Sequence, residues 1–165
     1  MLGPPPGMLG GLVLEQPVLI RDEDVVAFVT GITAYPAGFS FVIRVEARWT
    51  RGDDPTLDEW NRSSVDRDGF DLVVAFGDGQ RWHGGRDRAG GCLVGRGVQS
   101  SFGDTGTSHK AEYWLASLPS SGPVQFEITL EPPTNRGRST STTGIATVEG
   151  ELLRQAARRA VDLWG

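Results

Sequence analysis

Between Ala111 and Leu130 the sequence AEYWLASLPSSGPVQFEITL sets Val124, Phe126, Ile128 and Leu130 on one side of an extended chain and Gln125, Glu127 and Thr129 on the other. A helix cannot bury an apolar period of two; the pattern describes a strand with one covered face and one wet face. Upstream, Tyr113 and Trp114 are neighbours and so point opposite ways on a strand, which puts at least one ring in a core. Leu118-Pro119-Ser120-Ser121-Gly122-Pro123 separates the two runs. Its prolines fix φ and lack an amide donor, so they end one strand and start the next. The spacing predicts a hairpin on which the other strands are arranged.

The same period recurs along the chain. Phe39, Phe41, Ile43, Val45, Ala47 and Trp49 alternate with Ser40, Arg44, Glu46 and Arg48, a strand over 39–50. Val25–Ile32 is apolar on both alternating sets, which predicts a central strand covered on both faces. The two pair as a hairpin through Tyr35-Pro36-Ala37-Gly38. Phe70, Leu72, Val74 and Phe76 form a further strand, and Gly77-Asp78-Gly79 turns it back through Arg81 and Trp82. Leu12–Ile20, broken by Pro17, reads as an edge strand or two short ones. Arg138–Glu149 reads as a final edge strand.

Between these elements, Thr50–Gly69 is a polar excursion that Leu57 and Trp60 could pin to the body. Gly84–Gly106 carries eight glycines and little periodicity, so a long loop is expected there, with Cys92-Leu93-Val94 as its one strand fragment. Leu152, Leu153, Ala156, Ala157, Ala160, Val161 and Trp164 repeat at three and four, which predicts an amphipathic helix over 151–163 with an Arg158–Asp162 pair on its outside. Trp49, Trp114 and Trp164 are expected in the core. Trp60 and Trp82 sit beside loops and are also assigned to packing. Residues 1–11 form a flexible Gly/Pro tail. In it, Pro4-Pro5-Pro6 favours the polyproline II conformation that some binding modules recognise. The expected architecture is mostly β: residues 12–165 as one antiparallel β-sandwich of about seven to nine strands, with the C-terminal helix over a sheet or an open end.

Composition narrows the classes of function. The chain of 165 residues is 38% hydrophobic and 22% charged, enough apolar content for a packed core rather than a disordered chain. No apolar run reaches the roughly twenty residues that cross a bilayer as a helix. The opening residues lack the positive charge and unbroken apolar run of a signal peptide. One cysteine, Cys92, excludes an internal disulfide, and a reducing cytoplasmic setting suits it. Residues 1–80 carry six Arg against thirteen acids, and residues 81–165 ten bases against eight acids. An acidic front and a mildly basic back favour protein contacts over nucleic acid, which requires a basic patch. Neither nucleic acid nor membrane is expected as a partner.

Tyr113-Trp114-Leu115, Leu118-Pro119 and Gly122-Pro123-Val124-Gln125-Phe126 resemble a family of small β-rich cytoplasmic proteins from high-GC bacteria. The resemblance extends to Tyr35-Pro36-Ala37-Gly38-Phe39, to Phe76-Gly77-Asp78-Gly79 and to the closing Leu163-Trp164. It implies a β-rich domain with a Gly-rich loop before the aromatic strand, and it implies no activity. The chain departs from the pattern in a sparser glycine run at Gly90–Gly97 and in lacking a tryptophan near Glu131.

Sites are few. Asp53, Asp54, Asp66, Asp68 and Asp78 fall in loops, and Asp66-Arg67-Asp68-Gly69 resembles part of a calcium loop without its closing glutamate. Gly90–Gly97 lacks the Lys-Ser/Thr ending of a phosphate loop and is expected to be a flexible loop, with Arg96 near any anion it could cradle. His83 and His109 are the only histidines. Cys92 with one of them is the one nucleophile–base pair available, and Ser100, Ser101 and Ser108 lie in no nucleophile elbow. The expectation is a non-catalytic protein-interaction or scaffold domain without a cofactor, binding a protein partner or itself. A small enzyme using Cys92 and a histidine is the alternative, and a calcium-dependent binding module the second.

Overall fold

The computed structural model describes residues 3–48, 70–84, 92–103, 105–130 and 141–164. In chain order its strands are β1 (Met8–Leu9), β2 (Gly11–Leu12), β3 (Val18–Arg21), β4 (Val25–Tyr35), β5 (Gly38–Arg48), β6 (Phe70–Phe76), β7 (Arg81–Gly84), β8 (Leu93–Gly103), β9 (Gly106–Leu115), β10 (Pro123–Leu130) and β11 (Thr142–Glu149). Helix α1 (Gly150–Arg158) and β12 (Val161–Asp162) follow. Among the described residues nine strands hold four residues or more, as expected of a sandwich of this length. No helix among the described residues is long and apolar enough to cross a membrane.

Two antiparallel sheets enclose the core. The six-stranded sheet runs β2-β4-β5-β9-β8, with β3 also on β4, and the four-stranded sheet runs β11-β10-β6-β7. Phe41 lies between them. Its ring is 5.0 Å from Phe126 of the opposite sheet, 5.5 Å from Tyr113 and 5.7 Å from Phe39. The alternation read from sequence is the cause: Phe39, Phe41, Ile43 and Val45 point inward, as do Val124, Phe126 and Ile128, and all are buried. At one edge the sheets meet where β3 crosses β11. Gly144 permits that approach, since any side chain there would run into the Leu19 carbonyl and the Ile20 side chain.

The expected β4–β5 hairpin is present. However, β4 continues to Tyr35 past a bulge between Thr30 and Thr33. Gly31, at φ 60°, carries the extra residue, and the inward set changes from Ala27 and Val29 to Ile32 and Ala34. The other set, Val26 and Phe28, is half-buried, so β4 is covered fully on one face only.

Several other expectations are corrected. Residues 111–118 and 123–130 do not form a hairpin: β9 pairs with β5 and β8 in one sheet, and β10 with β6 and β11 in the other. The Pro/Gly connection is a crossover over the top of the sandwich, where a stretch without amide donors at Pro119 and Pro123 can leave one ladder before joining the next. Because β9 lies inside the larger sheet, both its aromatics are buried, Tyr113 toward the core and Trp114 on the opposite face.

Within the expected Gly84–Gly106 loop, residues 93–103 are an eleven-residue edge strand on β9, bulged between Gly95 and Gly97. Tertiary pairing overrides the weak strand preference of its glycines and serines.

The helix ends at Arg158 rather than Leu163. Leu153, Ala156 and Ala157 are buried where α1 closes the end of the sandwich beside β2 and β4, but Val161, Leu163 and Trp164 lie outside. Arg158 pairs with Glu151 at 3.7 Å rather than with Asp162, whose carboxylate accepts the Trp164 amide at 2.9 Å. Residues 8–9 and Gly11, within the stretch expected as a flexible tail, pair with β12 and β4. Trp82 packs on Phe76 at 4.5 Å. Trp49, Leu57 and Trp60 lie outside the described residues.

Candidate functional site

Past α1 the chain turns back, with the Arg159 and Ala160 amides donating to the carbonyls of Ala156 and Ala157. It then runs antiparallel to the N-terminal segment, pairing Leu9 with Val161 and Met8 with Asp162. The Leu163 amide donates to the Gly7 carbonyl at 2.8 Å. The Arg159 guanidinium donates to the Leu12 carbonyl at 3.4 Å. Both chain ends therefore meet in one ribbon on the outside of the sandwich. Leu9 and Val161 are directly opposed and share a face with Leu163. With Leu12, Leu14 and Trp164 they make up most of the large apolar side chains that the described residues expose, Leu14 at 89% and Trp164 at 85%.

A second arrangement lies on the outer face of the six-stranded sheet. Thr33, Ser40, Trp114 and Val94 form one cross-strand row from β4 to β8. Tyr35 meets Trp114 edge-on with ring centres 5.7 Å apart. Gly10 lies against Thr33 and Tyr35 at one end of the row, and Gly3 beside the Arg96 guanidinium at the other. Residues 4–9 thus cross the row as a strap, with Pro4 and Pro5 half-buried.

Of the acids singled out in the sequence, Asp53, Asp54, Asp66 and Asp68 lie outside the described residues. Asp78 is a turn residue. Its carboxylate accepts the Gln80 amide at 3.1 Å, the Gln80 side-chain amide at 2.9 Å and the Ser120 hydroxyl at 2.9 Å. The bond from the Gln80 backbone, then those from the Ser120 and Gln80 side chains, hold Asp78 below the ordinary aspartate value of 3.8. Glu151 is also lowered from its ordinary 4.5, chiefly by the hydrogen bond from Arg154. Both groups release their protons more readily when folded. The stability they contribute is present above pH 4–5 and lost as pH falls through their lowered values. Asp78→Asn is accordingly expected to flatten the acid limb of a melting-temperature profile below about pH 4, and an unchanged limb would assign the acid sensitivity elsewhere. Among the described residues no three of His, Cys, Asp and Glu are grouped to hold a metal.

The structure separates Cys92 from His109. The Cys92 carbonyl accepts the Ala116 amide, seven residues along β9 from His109, a distance of about 23 Å in an extended chain. His83 is exposed on the outer face of the four-stranded sheet, opposite Val73. His109 instead faces inward. Its Nδ1 is 2.8 Å from the Ser100 hydroxyl, directly across the ladder, and its ring meets Phe70 edge-on at 5.9 Å. With the imidazole only 2% exposed, this is a cross-strand bond that anchors a buried polar ring. Sequence reading missed the pair because it depends on the β8–β9 register. The exposed chain-end ribbon did leave a signal: Arg158-Arg159 is the basic ending usual at a helix C-terminus. No known family, curated protein or solved structure matches the chain.

Proposed function

We propose that this chain is a non-catalytic protein-interaction domain working in the cytoplasm, and that its surface of contact is the ribbon formed by its two ends. The observation that carries the reading is the exposure of Leu9, Val161, Leu163 and Trp164 together on that ribbon. Exposed apolar groups gathered in one place mark interaction sites, and tryptophan is the residue most enriched where binding energy concentrates. A free, exposed cysteine at Cys92 suits a reducing compartment.

The occupant is a second copy of the chain. Glu15 and Asp162 beside the apolar residues, with Arg158 and Arg159 on the same ribbon and helix end, supply both signs of charge, so a twofold pairing can oppose unlike charges around an apolar centre. Sedimentation at tens of micromolar is expected to show a dimer. Trp164→Ala should weaken it tenfold or more, about 1.4 kcal/mol, while shifting the stability of the fold by no more than about 0.5 kcal/mol. A wild-type chain that sediments only as a monomer would overturn the reading.

A further inference from the structure

Trp114 is fully buried on the face of its sheet turned away from the core, and its indole N–H has no acceptor among the described residues. Buried donors are nearly always paired, so a cover that leaves this one unpaired is a poor match for it. The chain's own strap runs across this face between Gly10, against Thr33 and Tyr35, and Gly3, beside Arg96, with Pro4 and Pro5 half-buried in it. Beside Trp114 the Tyr35 ring presents a second aromatic face. Proline runs hold an extended helix with no internal hydrogen bonds and all carbonyls free. Aromatic grooves bind them because little chain entropy is lost on docking. Indole N–H groups are the donors suited to such carbonyls.

We propose that the Tyr35–Trp114 groove is a binding site for proline-rich extended segments, closed in cis by Pro4-Pro5-Pro6. A partner's proline segment displaces the strap and supplies the acceptor that the Trp114 indole lacks. The proposal rests on the reading of the chain as an interaction domain and names the chemistry of a partner. The strap can lift without dismantling the chain-end ribbon. The Leu163 amide holds Gly7, and the β1–β12 pairing begins at Met8, so residues 3–6 are free of that ladder. Gly7, at φ 74°, is the hinge.

The test uses the full-length chain and its variant with Pro4→Gly, Pro5→Gly and Pro6→Gly. Each is titrated with an oligoproline peptide while the tryptophan indole N–H resonances are followed by NMR. The Trp114 signal is identified by its loss in Trp114→Phe. That signal is expected to shift saturably, and the glycine variant should bind about tenfold tighter than wild type or better, because the tethered strap competes at an effective concentration near millimolar. An unmoved Trp114 signal in the variant at millimolar peptide, or equal affinity in both proteins, would overturn the proposal. If the variant loses its native spectrum, the wild type decides alone. A Trp114 shift at millimolar peptide supports the site and an unmoved signal removes it. A dimer that forms without peptide binding removes this site alone, and a monomer that binds peptide removes the self-association reading alone.

Discussion

Phe41→Ala is expected to cost about 3–5 kcal/mol, the range for truncating a buried aromatic. In a domain of this size that lowers the melting temperature by roughly 6–20 °C. Phe41 is fully buried and touches rings from both sheets: Phe39 beside it, Tyr113 on the neighbouring strand and Phe126 across the core. Its removal leaves a void that two facing sheets cannot close without sliding, since each is held in register by its ladders. Differential scanning calorimetry measures the loss directly. Phe28→Ala, on the half-buried outer face of the same sheet, is the control, and it should fall well short of the Phe41 value. Equal losses at the two sites would mean that the core does not centre on Phe41.

Leu153→Ala is the second large effect, about 2–5 kcal/mol by chemical denaturation. Nine residues make too short a helix to stand alone in water, so α1 exists because Leu153, Ala156 and Ala157 are packed against the end of the sandwich. Arg154, one residue on, is not a free surface side chain. It pairs with Glu151 at 2.7 Å and donates to the Pro119 carbonyl at 3.0 Å, which ties the helix to the crossover between sheets. Arg154→Ala should therefore cost about 1 kcal/mol, above the negligible value of a solvated position and well below that of Leu153. A Leu153→Ala protein with unchanged denaturation would show that the helix rests on the domain without supporting it.

The parts of the fold legible in the sequence are those fixed by local alternation. Phe39–Val45, Phe70–Phe76 and Val124–Leu130 each carry their inward face in their own residues, and the turn at Gly77-Asp78-Gly79 carries its own chemistry. Pairing between distant strands is a different kind of information. The sequence around Pro119 reads equally well as a hairpin turn or as a crossover, because both need a stretch that leaves its ladder; only the partners of β9 and β10 decide. β8 was hidden for a related reason. Its glycines and serines are strand residues because β9 offers a ladder, and no periodicity within 93–103 announces that. The exposed ribbon was obscured by a coincidence of spacing, in which Val161 and Trp164 continue the three-four repeat of α1 after the helix has ended. The strap over Trp114 had only its three prolines to mark it.

The crossover from β9 to β10 also has a bearing on the order in which this chain can reach its native state. Residues 25–48 can make a hairpin early, but β5 must wait for β9, which follows residues 49–105 in sequence. Likewise β6 waits for β10 across residues 77–122. Each closure spends loop entropy before its contacts return anything, which places folding in the slow, millisecond-to-second regime of non-local β topologies. During synthesis the apolar face of the β4–β5 hairpin emerges long before the four-stranded sheet that covers it. Until β10 and β11 leave the ribosome that face is available to chaperones or to neighbouring chains. Both α1 and β12 lie later in the sequence than every strand of the two sheets, yet β1 pairs with β12, so residues 8–9 are synthesised long before they can find their place.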